Sequence, residues 1–177
     1  GAINQRKNVG GLMDALAKAN ELRGRKDLKV AWAGALNRAE ISSLRTEARR
    51  ARVEDQIHLM GFVEDQQLAA CYRGARALAF VSHREGFGYP VVEAMATGCP
   101  VITSNRSAML EVAGNAAWMV DPDDRDQIAD ALVLASDDPK ERNRLKQAGL
   151  ERVPEFSVDK MVENTLLSYE RSWTESL

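Results

Sequence analysis

Cysteine is scarce in this chain. Its 177 residues include two, Cys71 and Cys99, far apart and in no C-x-x-C arrangement. That excludes a disulfide framework and points to a reducing, cytoplasmic setting. Both thiols sit beside apolar residues and read as buried side chains rather than reactive groups. An excess of one charge is also lacking. Lys and Arg number 24 and Asp and Glu 26, for a formal net charge of −2, with the signs mixed along the chain. This argues against nucleic acid or an anionic membrane as a general partner, and says nothing of a local phosphate site. No apolar run approaches the ~18 residues that a membrane span needs. No leader pattern, internal repeat, low-complexity tract or linker is visible. What remains is 45% hydrophobic and 28% charged, the composition of one globular domain with a real core. The chain opens on Gly1-Ala2-Ile3-Asn4 rather than methionine, so it reads as a fragment with native sequence expected upstream.

Apolar runs alternate with helical patterns along the chain. Val9, Leu12, Met13 and Leu16 recur at helical spacing. Residues 28–33 read as a strand stopped by Gly34, and residues 38–52 as a helix with Ile41, Leu44 and Ala48 on one face. A short strand over residues 56–60 ends at Gly61, and a short helix is predicted over residues 65–72. Residues 77–81, Ala-Leu-Ala-Phe-Val, form a continuous apolar run consistent with a strand buried on both faces. A helix is predicted over residues 89–97, a strand over 100–103 and a last short strand over 118–120. Helical patterns then cover residues 125–135, 140–150 and 158–173, with Ser157 as N-cap of the last. Such strand–helix alternation predicts an α/β fold, an open parallel sheet with helices on both faces. Ligands of such folds sit at the carboxyl ends of the strands, so the loops there are the place to look for chemistry.

One of those loops is distinctive. After Val81 the chain reads Ser82-His83-Arg84-Glu85-Gly86-Phe87-Gly88-Tyr89-Pro90-Val91-Val92-Glu93. The two glycines let backbone approach a ligand closely, and Pro90 suits a first helical turn, where its missing amide costs little. The free amides near Gly88 and Tyr89 then make a site for phosphate. Glu93 lies about one turn further on, and Glu85 precedes the glycines. One loop thus offers an anion cradle flanked by two carboxylates. A pyrophosphate between two diol-bearing sugars fits, because each carboxylate can accept two hydrogen bonds from a vicinal diol.

Glu85 and Glu93 have the E-x7-E spacing of retaining GT-B glycosyltransferases, and the stretch from Glu85 to Asn105 resembles glycosyltransferase family 4, the group 1 transferases. Arg6-Lys7-Asn8 resembles that family's basic phosphate clamp, and Gly61-Phe62-Val63 its nucleobase-side loop. Val120-Asp121-Pro122 and Glu155-Phe156-Ser157 echo later landmarks, so the resemblance covers essentially the whole chain. Two departures stand out: Tyr89 where the family has leucine or isoleucine, and Ala2 where many members carry a further arginine.

The resemblance implies the C-terminal half of a GT-B fold, Rossmann-like with extra C-terminal helices. It implies that residues 1–177 are the nucleotide-sugar donor domain, with the acceptor domain missing. The intact enzyme would move a hexose from a nucleoside-diphosphate sugar to an acceptor hydroxyl with retention. Glu93 would bind the ribose hydroxyls and Glu85 the donor-sugar hydroxyls. Amides of Gly86, Phe87 and Gly88, with Tyr89 alongside, would cradle pyrophosphate and sugar. Lys7 and Arg6 would neutralise the departing diphosphate, making Glu85 and Lys7 the catalytic pair. No cofactor and no metal are expected. GDP-mannose is the first donor expected, ahead of UDP-glucose, and peripheral membrane contact through the missing domain is left open.

Competing readings are weaker. Paired acids also mark glycosidases, but the phosphate cradle would then have no purpose. A dinucleotide fingerprint needs Gly or Ala where Val91 stands. Asp121-Pro122-Asp123-Asp124 contains a D-x-D metal pattern, but it reads better as the cap of the helix starting near Arg125. His58 reads as structural, and His83 as a residue that could touch the ligand. Arg45, Arg49, Arg50 and Arg52 read as a solvated helix face. A nucleotide-sugar epimerase and an inactive binding module are the remaining rivals. The E-x7-E segment disfavours the first, and Lys7, Glu85 and Glu93 together disfavour the second.

Overall fold

The structure, a computed structural model, describes residue 3 and residues 5–174. Helix α1 (Val9–Arg23) buries Val9, Leu12, Met13 and Leu16 and stops at Gly24, which is left-handed (φ 63°) and donates its amide back into the helix. Strand β1 (Val30–Ala33) follows. Helix α2 (Arg38–Arg50) starts with a capping box between Asn37 and Glu40, buries Leu44 and Ala48, and leads to β2 (Ile57–Gly61). Arg52 lies beyond the helix end with φ 59°, so it does not share the face of Arg45 and Arg49.

Then come α3 (Asp65–Gly74), β3 (Leu78–Phe80), α4 (Tyr89–Ala96), β4 (Val101–Ser104), α5 (Ala108–Ala113) and β5 (Ala117–Val120). Helices α6 (Arg125–Asp137), α7 (Pro139–Arg152) and α8 (Val158–Thr174) close the chain. Side chains of Asp124 and Asp138 cap α6 and α7, and Ser157 Oγ accepts from Lys160 N at 3.2 Å at the start of α8.

All strand pairs are parallel. They form two groups, β1–β2 and β3–β4–β5, where one sheet was expected. Both groups contribute to one core. Val30, Trp32, Ile57 and Leu59 from the first pack with Ala77, Ala79, Ile102 and Trp118 around the second, under α1, α2 and α6. The alternate residues Leu78, Phe80, Val101 and Ala117 point the other way, into a second core with α4 and α5. This is the period-two alternation of a sheet covered on both faces. The residues of β3 are nonetheless only half-buried, because β3 is an edge of its own group.

Helix α8 stands apart. Val158, Met161, Val162, Leu166, Tyr169 and Trp173 are all exposed, and the helix contacts mainly the preceding 3₁₀ turn (Val153–Phe156). Among the described residues no helix is long and apolar enough to cross a membrane.

The two thiols differ in burial. Cys71 is half-buried, whereas Cys99 is 2% exposed in the second core, and burial pushes its thiol up to about 11. A thiol reagent at pH 8 is therefore expected to label Cys71 in the native protein and Cys99 only after denaturation. Equal labelling rates would show that the second core is open around Cys99.

Candidate functional site

The predicted loop lies at the carboxyl ends of β3 and β4. Val81 and Ser82 are buried, and the chain then rises through Glu85 to α4. Gly88 is the N-cap of α4 with φ 98°, a conformation that disfavours any side chain. A Cβ there would also overlap the Met109 side chain. Pro90 lies in the first turn, as expected. Around Gly86 nothing would meet an added Cβ, so the backbone there faces open space.

The residues linked at the two ends of the chain's first 85 positions meet here. Lys7 Nζ donates to Glu85 Oε1 at 2.7 Å, with both side chains mostly shielded. The same ammonium lies 4.4 Å from the centre of the Phe80 ring, a cation–π contact. The backbone holds the two segments together as well, His83 N donating to Arg6 O at 2.8 Å.

Asn8 supplies the anchor. Its backbone is left-handed (φ 51°, ψ 44°), which Asn tolerates better than most residues. Its buried amide nitrogen donates to Val81 O at 3.2 Å and to Pro122 O at 2.6 Å. That one group joins the start of α1 to the ends of β3 and β5. Gly11 makes this possible, since a Cβ there would overlap the Asn8 amide.

Glu93 is exposed on α4 and accepts from the Tyr72 hydroxyl at 3.2 Å. Gly61 (φ 71°) ends β2, its carbonyl accepting from Gly34 N at 2.8 Å. Phe62 beyond it is 75% exposed, an apolar ring presented at the strand ends, with Val63 half-buried beside it. Phe87 packs against Tyr89 with ring centres 4.9 Å apart, and edge-on against Phe156 at 5.9 Å. Arg152 in turn lies 5.6 Å from the Phe156 ring.

The acidic segment after β5 divides in two. Asp124 caps α6 as expected. Asp121 and Asp123 instead grip Arg106, each at 2.6 Å, and His83 Nδ1 lies 3.4 Å from Asp123. A backbone hydrogen bond from Asp123, followed by the Arg106 contacts, holds the Asp121 carboxyl below its ordinary range. His58 lies in β2 with its side chain exposed. Ala2 lies outside the described residues.

Tyr72 and Arg106 are the residues that sequence reading did not connect to the site, and the contacts of Asn8 and Phe156, though both lie in segments marked by the resemblance, were not foreseen. Each contact acts across a long loop, and no local pattern marks it.

Comparison with known proteins agrees with this geometry. The family model described as glycosyl transferases group 1 matches residues 1–152. The chain belongs to the group 1 glycosyl transferases. O-antigen chain mannosyltransferase B of Escherichia coli is 32% identical over 174 residues, which is 96% of this chain and 44% of that protein. The MMP alpha-(1->4)-mannosyltransferase of Mycolicibacterium hassiacum is 35% identical over 124 residues, 68% of this chain and 30% of that protein. This chain therefore spans less than half the length of these relatives. Among solved structures, the C-terminal domain of a group 1 family protein, LpcC, from Francisella tularensis superposes with a TM-score of 0.74 at 26% identity, covering 89% of this chain and 83% of that one. HepE from Anabaena, solved in complex with UDP and glucose, shares the fold with a TM-score of 0.75 at 20% identity, over 95% of this chain and 47% of that one.

One group 1 loop carries backbone strain. Ser107, before α5, has φ 57° and ψ −148°, and its hydroxyl donates to Glu85 O at 2.7 Å. Strain of this kind costs roughly 1–3 kcal/mol, and an exposed hydrogen bond returns about 0.5–1 kcal/mol. Ser107→Gly is therefore expected to melt above Ser107→Ala, which loses the hydroxyl and keeps the strain. Equal melting temperatures in a thermal scan would show that position 107 is unstrained.

Proposed function

We propose that this chain is the donor-binding domain of a retaining transferase that moves a hexose from a nucleoside-diphosphate sugar to an acceptor hydroxyl. The observation that carries the reading is the Lys7–Glu85 pair beside the glycine-rich start of α4. A cation and a carboxylate at one loop suit a ligand that offers a phosphate and a sugar hydroxyl side by side.

In this reading each group takes one part of the donor. A leaving diphosphate gathers negative charge as its bond to the sugar breaks. Lys7, with Arg6 and the amides of Gly86, Phe87 and Gly88, would face that charge as it develops. Fixed donors of this kind act without reorganising, in the manner of an oxyanion hole. Lys7 has three donors and gives one to Glu85, so the others remain for phosphate oxygens. The free oxygen of Glu85 is left for a sugar hydroxyl. Glu93 takes the ribose diol. Phe62 offers a flat apolar surface at the base end, with Gly61 and Val63 shaping its loop. Tyr89 extends the wall that begins with Phe87.

The mannosyltransferase relatives favour GDP-mannose as the first donor to test. The HepE complex makes a uridine donor the second. An acceptor domain outside this sequence would complete the cleft, exclude water and align the reacting atoms. That this chain spans only part of its relatives supports such a division.

Titration of GDP and UDP by calorimetry tests the reading. The chain alone is expected to bind a nucleoside diphosphate with roughly micromolar to millimolar affinity and to transfer no sugar. Lys7→Ala should weaken binding by about 1.5–3 kcal/mol, or roughly one to two decades. Absence of binding to the folded chain at millimolar ligand would overturn the donor site, and robust transfer by the chain alone would overturn the two-domain division. Saturating EDTA should leave binding unchanged, because Asp121 and Asp123 already hold Arg106. A metal requirement abolished by their removal would reverse that assignment.

A further inference from the structure

Tyr72 is outside every motif of the chain, yet it is the group that touches Glu93. It lies toward the end of α3, its ring half-buried against the second core and its hydroxyl 3.2 Å from Glu93 Oε2. Among the described residues no other hydrogen bond or ion pair is made by the Glu93 carboxylate. Without the tyrosine, an exposed glutamate on the second turn of α4 would sample many rotamers. Any ligand that used it would first have to order it.

The chemistry of the contact fits a preset acceptor. A carboxylate has about four lone-pair positions and accepts only. The tyrosine takes one of them on Oε2. Oε1 and the remaining position on Oε2 stay open, enough for the two donors of a vicinal diol. The phenol stays protonated across the ordinary pH range, because burial, followed by the charge of Glu93, raises it well above its usual value. It therefore donates throughout that range.

The position of α3 adds a second argument. The helix starts directly after Gly61-Phe62-Val63, where Glu64 and Gln67 close a capping box that fixes its first turn. Tyr72 comes two turns later, against α4. One short helix thus connects the loop that carries the exposed Phe62 ring to the tyrosine that meets Glu93.

We propose that Tyr72 is a positioning residue of the nucleotide site, its hydroxyl presetting Glu93 in the rotamer that receives a ribose diol. This rests on the ribose reading of Glu93 given above.

Calorimetry separates the proposal from a mere helix–helix contact. UDP and GDP are titrated beside their 2′,3′-dideoxy counterparts into the wild type, Tyr72→Phe, Glu93→Gln and the double variant. Tyr72→Phe keeps the ring in the core, and thermal unfolding verifies that each variant is folded. The expected result is about a 3- to 10-fold loss of ribonucleotide affinity in Tyr72→Phe. The dideoxy affinity should change less than about 2-fold, and Tyr72→Phe should add little once Glu93 is Gln. Equal losses for both sugars, or losses that add in the double variant, would reduce Tyr72 to a fold contact. If Glu93→Gln abolishes the preference for ribose and Tyr72→Phe leaves it intact, the role of Tyr72 falls and that of Glu93 stands. If Glu93→Gln binds both sugars like the wild type, the ribose reading falls and this proposal falls with it.

Discussion

The cleft depends on one buried amide. Asn8 connects three segments that are far apart in sequence, the start of α1, the end of β3 and the turn after β5. Each contact satisfies a carbonyl at a strand end, where the sheet itself can no longer do so. Lys7 is its immediate neighbour. Once Asn8 is locked, the direction in which Lys7 leaves the chain is set, and the ammonium reaches Glu85. Lys7 is thus placed by a residue that carries no charge.

Electrostatics at the strand ends are arranged in closed groups. Lys7 is matched by Glu85, and Arg106 by Asp121 and Asp123. The pairing also makes Glu85 dependent on Lys7, so loss of the cation leaves a shielded carboxylate without its partner.

Much of this was legible in the residues. Short apolar runs between helical patterns placed all five strands, and the glycine, proline and glutamate spacing marked the start of α4 correctly. The family followed from the same stretch. What was not legible depends on the third dimension. The apolar run at β3 reads as fully buried, yet β3 is the edge of its group, and its side chains are half-exposed. The aspartates after Val120 look like a cap or a metal pattern, and the structure divides them between a cap and Arg106. Tyr72 meets Glu93 across 21 positions, and Asn8 meets Pro122 across 114. Neither contact leaves a periodic trace, because a single hydrogen bond between segments distant in sequence imposes no pattern on its neighbours.

The absence of a side chain at Gly11 has a consequence for descent. That empty volume is filled by the Asn8 amide, which is held by two carbonyls and cannot swing away. Positions 8 and 11 therefore do not drift independently. A methyl group at 11 would displace the asparagine's contacts, and with them the tie between the start of α1 and the ends of β3 and β5. The two sites form a single heritable unit, in which one residue supplies the bond and the other supplies the room for it.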